Sequence, residues 1–123
     1  MPLYGVPQAG NSQPTALQPG DSIYLFNNET ITAPQASIAF ARGYNPGGGA
    51  TNPIIFQAWW ATTPTATLNI QGSNVDSPSQ YVTLGQITNT SPAYYADAGG
   101  FAFYRVQLAS QSAGGAITVL VQR

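Results

Sequence analysis

The chain has 123 residues, of which three are Arg, four are Asp or Glu, and none is Lys, His or Cys. That length suits one domain able to bury its own core, and the missing thiols exclude disulfides and thiolate metal sites. A net charge of −1 offers no electrostatic footprint to a phosphate backbone or an anionic bilayer, so neither nucleic acid nor membrane is an expected partner.

In chain order, residues 1–20 read as an extended arm. Pro2, Pro7, Pro14 and Pro19 block both helix and regular ladder pairing, while Leu3, Tyr4, Val6 and Leu17 supply apolar anchors. Met1 to Pro7 has neither the basic start nor the roughly 7–15-residue apolar run of a signal peptide, so cytoplasmic synthesis is expected. No apolar run approaches the ~18 residues of a membrane span.

Residues 21–123 read as one β-sandwich domain, jelly-roll or immunoglobulin-like, because short β-branched and aromatic runs alternate with Gly, Pro, Asn and Ser clusters. Strands are expected at Ser22–Asn27, Ala36–Arg42 and Ile54–Ala61. In Thr65–Gln71, Ala66, Leu68 and Ile70 form a dry face and Thr, Asn and Gln a wet one. In Tyr81–Thr88 the alternation slips at Gly85, where a bulge restores the phase. Phe103–Leu108 turns Tyr104, Val106 and Leu108 to one side, and Ala116–Gln122 does the same with Ile117, Val119 and Val121. These last two runs read as a hairpin across a loop at residues 109–115, slightly longer than the usual connection of about 2–5 residues, in which Gly114 and Gly115 are free to adopt positive φ. The total is about seven or eight antiparallel strands, with the prolines between them.

The composition also narrows the chemistry. Without His, Cys or Lys there is no ordinary nucleophilic triad, no histidine-ligated zinc and no Schiff base. A carboxylate pair is the remaining catalytic option, yet Asp21 and Asp97 both suit turns for local backbone reasons. Asp76, with Asn74, is thin for Ca²⁺, which takes about 6–8 oxygen ligands. Residues 43–49, rich in Gly, read as a surface loop and not a phosphate cradle, since a strand and not a helix follows. No catalytic residue, cofactor or metal is expected. Arg105 sits on the polar face of its strand, either in a rim ion pair with Asp97 or Glu29 or as an interface anchor.

The aromatics point to a surface. Trp59-Trp60 and Tyr94-Tyr95 place adjacent rings on opposite faces of extended chain. If Phe56, Ala58 and Trp60 face the core, Ile55, Gln57 and Trp59 line the other side. An exposed Ile-Trp surface marks a binding site or interface, unless a loop or the arm covers it. Candidate interface residues are therefore Leu3, Tyr4, Val6, Ile55, Trp59, Tyr94, Tyr95 and Arg105.

The Pro-rich arm, the Ala-, Thr-, Gln- and Gly-rich β body, and the segments Thr67–Asn74 and Phe103–Leu108 together resemble small bacteriophage virion proteins of the capsid decoration or cement type. The resemblance covers about residues 65–123 and is one of style, carrying no catalytic residues. It implies a β-sandwich on the capsid surface, bound to the major capsid protein and to itself as a homo-oligomer, a trimer being one such stoichiometry. Two other readings stand beside it: a carbohydrate-binding or adhesion module using exposed Trp and Tyr, and a tail or fibre component.

Overall fold

The computed structural model describes residues 15–43 and 53–123, and within them the chain is a sandwich of two β-sheets without an α-helix. Its strands are β1 (Thr15–Ala16), β2 (Ser22–Glu29), β3 (Gln35–Ala36), β4 (Phe40–Ala41), β5 (Ile54–Trp60), β6 (Thr65–Ser73), β7 (Val82–Thr88), β8 (Ala93–Asp97), β9 (Phe103–Ala113) and β10 (Ile117–Gln122). Sheet I runs β1-β4-β9-β6-β7 with β3 also on β9, and sheet II runs β2-β10-β5-β8. All pairings are antiparallel except β1 with β4.

The inward alternation of each long strand fills the space between the sheets. Ala66, Leu68 and Ile70 of β6, and Tyr104, Val106 and Leu108 of β9, meet Phe56, Ala58 and Trp60 of β5 and Ile117, Val119 and Val121 of β10. At the centre Phe40, Phe56 and Tyr104 form an aromatic cluster with ring centroids 5.8–6.1 Å apart, within the range in which offset and tilted rings attract.

Among the described residues ten strands replace the seven or eight expected, and two of the differences have clear physical causes. Ala36–Arg42 is not one strand: Ser37 donates its amide to the Val106 carbonyl, and its hydroxyl accepts from the Val106 amide. That side chain takes a ladder position, so the chain bows out at residues 37–39 between β3 and β4. Tyr94 and Tyr95 lie in a full strand, β8, which ends at Asp97, and the Asp97 carboxylate accepts from the Gly99 amide two residues on, the local backbone bond expected of an aspartate at a turn.

The expected hairpin of Phe103–Leu108 with Ala116–Gln122 does not form. β9 runs on to Ala113 beside β6, whereas β10 lies between β2 and β5 in the other sheet. Gly114 (φ +134°) and Gly115 (φ +71°) carry the chain across. A Cβ on Gly114 would stand 2.8 Å from Trp60 Cδ1, so this crossing is closed to larger residues for reasons of both space and φ. Alternation shows which residues face the core but not from which sheet, and both runs face inward from opposite sides.

The irregularity expected at Gly85 is present. Ile70 pairs with Gly85 and Gln71 with Thr83, leaving Leu84 as the extra residue. The glycine is also needed for packing, because a Cβ there would fall 2.3 Å from the Tyr95 ring.

Arg123 ties the segment 17–21 to the end of β4. Leu17 is buried in the core, and its amide donates to the Ala41 carbonyl. Arg123 donates through Nη1 to the carbonyls of Leu17 and Arg42, and its own backbone exchanges hydrogen bonds with Gly20 and Asp21. Burial, with Arg42 nearby, lowers the Arg123 pKa. Arg123→Ala is expected to lower stability by about 1.5–3 kcal/mol, the range for hydrogen bonds from a charged donor. Limited proteolysis should show faster cleavage within residues 15–21 of the variant. Unchanged cleavage there would contradict the clamp.

Candidate interaction face

The outer faces of the two sheets differ in chemistry. On sheet I, outward Asn and Gln side chains bond to one another. Gln86 donates to Asn69 (2.8 Å), Asn69 to Gln107 (3.2 Å), and Gln71 to Gln107 (3.4 Å) and Thr83 (3.5 Å). Arg105 Nε ends this ladder on Gln71 Oε1 at 2.8 Å, and Nη2 reaches the Pro78 carbonyl at 3.3 Å.

The guanidinium also lies 4.2 Å from the Tyr81 ring centroid, a cation–π distance. The Tyr81 hydroxyl donates to Asp76 at 2.8 Å. Burial first, and then this bond, raise the tyrosine pKa. Arg105 therefore pairs with neither Asp97 nor Glu29 as expected. Amides, a carbonyl and a ring surround it, because Asp97 is turned inward at the end of β8.

Among the described residues no cluster of three or more His, Cys, Asp or Glu is placed to hold a metal ion. Asp76 serves Tyr81, Asp21 closes its own turn by accepting from the Gln18 amide, and Asp97 accepts from the buried Tyr104 hydroxyl at 2.6 Å and the Gly99 amide at 2.8 Å. A polar cavity of about 340 Å³ lies at the end of sheet I, lined by Thr65, Thr67, Thr88, Asn89, Ser110 and Gln111 among others. It has hydroxyls and amides but no charged or aromatic side chain.

The outer face of sheet II is built differently. Register places Tyr24 of β2 beside Leu120 of β10, Leu120 beside Gln57 of β5, and Gln57 beside Tyr94 of β8. One continuous row crosses all four strands. Flanking rows add Ser22, Gln122, Ile55 and Ala96 on one side and Thr118 and Trp59 on the other. No residue of these rows is charged. Tyr94 is 71% and Tyr24 48% exposed, and they stand on the two edge strands at either end of the row.

Of the residues singled out in the sequence, Ile55, Trp59 and Tyr94 come together on this face. Tyr95 does not: it points between the sheets, lies on Gly85, and donates its hydroxyl to the Leu84 carbonyl at 3.2 Å. Arg105 is on the opposite side of the sandwich. Leu3, Tyr4 and Val6 lie outside the described residues.

Tyr24 and Leu120 were missed for a local reason. Between Tyr24 and Glu29 the pairing with β10 slips twice, so Leu25 and Phe26 are both buried and simple alternation along β2 fails. The legible signal was Leu120, whose outward parity follows once Val119 and Val121 are placed inward.

The chain matches no family model, no curated protein and no solved structure.

Proposed function

We propose that this is a non-enzymatic virion structural protein of the capsid decoration or cement type, docking on the surface of a phage head through the outer face of sheet II. The observation that carries the reading is the uncharged row Tyr24–Leu120–Gln57–Tyr94, continuous over four strands and flanked by Ile55 and Trp59. Interface centres are depleted in charge and enriched in aromatics, and this face has that composition before any partner is present.

The physical advantage lies in desolvation. Burying a hydroxyl or amide costs far less than burying an ion, so a face wetted by Gln, Ser and Tyr stays hydrated alone and is covered at low cost. The partner that fits is the uncharged surface of a major capsid protein. A charged partner surface would leave its own ions without counter-charges.

Co-sedimentation with heads lacking the protein, at low and at high salt, tests this. Binding is expected to be retained at high salt, because screening acts on charges and not on apolar contact. Absence of binding in both conditions, or binding lost at high salt, would overturn the reading.

A further inference from the structure

The edges of the two sheets are guarded unequally. β2 is bulged at two places, β7 is bulged at Leu84, and β1 is two residues long. Bulges, charges and shortness are the devices by which proteins keep edge strands from pairing with other chains. β8 has none of them along its length: it pairs with β5 through five consecutive residues without a slip, and its side chains before Asp97 are Ala, Tyr, Tyr and Ala. Asp97 itself is turned to Tyr104 and Gly99.

From this we infer that β8 is a homotypic contact, joining two copies of the chain edge to edge in an antiparallel pair. The partner is a second copy because the strand complements itself. In a symmetric antiparallel pair each residue faces one on the same side of the sheet, so the two-fold axis must pass midway between some residue and its own copy. An axis between the two Tyr95 residues uses the whole strand, setting Ala93 opposite Asp97 and Tyr94 opposite Ala96.

That register suits the side chains. Cβ atoms directly opposite lie about 4.5–5.5 Å apart, so the large Tyr94 ring needs a small neighbour, and the exposed Ala96 is one. The two Tyr95 rings do not compete for space on the axis, since each lies on Gly85 of its own copy. The pairing buries the most exposed aromatic ring among the described residues and extends the row Tyr24–Leu120–Gln57–Tyr94 into the Ala96–Ile55 row of the second copy. It rests on the assembly reading above and deepens it by naming the contact between copies.

Sedimentation equilibrium of the isolated protein tests it. A small strand-edge contact belongs with transient interfaces, so a monomer–dimer equilibrium with Kd on the order of 10–100 µM is expected. Ala96→Lys, at an exposed position, should weaken it at least about tenfold, roughly 1.4 kcal/mol, with unchanged circular dichroism. The cysteine-free background permits a second measurement. A mixture of Tyr94→Cys and Ala96→Cys proteins should oxidise to a linked dimer faster than either alone.

A strict monomer at about ten times that Kd, a trimer, an Ala96→Lys variant that dimerises normally, or equal cross-linking of the single variants would each overturn the contact. Because particles are absent, a negative result here leaves co-sedimentation to judge docking separately.

Discussion

Tyr104→Ala is expected to destabilise the fold by about 3–5 kcal/mol, the usual cost of removing a buried aromatic ring. The side chain is fully buried, stacks on Phe40 at 5.8 Å and meets Phe101 edge-on at 6.3 Å. Small domains hold about 5–15 kcal/mol in all, so urea unfolding should show a large fall in midpoint. Tyr104→Phe separates ring from hydroxyl. It keeps the stacking but leaves Asp97 without its 2.6 Å donor and the Phe101 amide without its acceptor, a loss of about 1–3 kcal/mol.

The hydroxyl also predicts a pH dependence. Burial first, then the bond to Asp97, raise the Tyr104 pKa above its ordinary 10.0. Below pH 10.0 folded and unfolded chains are both protonated there, and the stabilisation is intact. Above it the unfolded chain releases a proton that the folded chain keeps, so stability falls as pH rises towards the folded pKa. Tyr81 is shifted the same way. Stability measured from pH 9 to 11 should decline less steeply in Tyr104→Phe than in the parent, and least in the double variant with Tyr81→Phe. An unchanged slope would remove Tyr104 from the environment assigned to it.

The layers of the sandwich were legible where strands are regular. Ala66, Leu68 and Ile70, and Phe56, Ala58 and Trp60, alternate strictly, and all are buried. Legibility failed wherever a side chain or a bulge substituted for a ladder position: Ser37 dividing β3 from β4, and the double slip in β2. It failed again at Gly114-Gly115, because periodicity along one strand contains no information about which sheet holds the next. The face of sheet II was half legible. Trp59 and Ile55 followed from the parity of β5, but the row joining them to Tyr24 and Tyr94 depends on register across four strands. No single strand's sequence determines that register.

The same register makes Gln57 the most informative position for function, because it is exposed and lies between Leu120 and Tyr94 in the row. Gln57→Lys is expected to weaken docking to heads at least about 100-fold, or roughly 2.8 kcal/mol. An ammonium carried into a desolvated interface without a counter-ion loses several kcal/mol, whereas the native amide loses about 1–3 even if unpaired. The substitution adds one charge to a hydrated face of the free protein, so its unfolding midpoint should stay where it was. Thr88→Lys, exposed on β7 in the opposite sheet, is the matched control: it changes net charge equally while leaving sheet II untouched. If both variants weaken co-sedimentation alike, the effect belongs to net charge and the docking face is wrongly placed. If Gln57→Lys alone fails to bind, the scarcity of charge is tied to that surface.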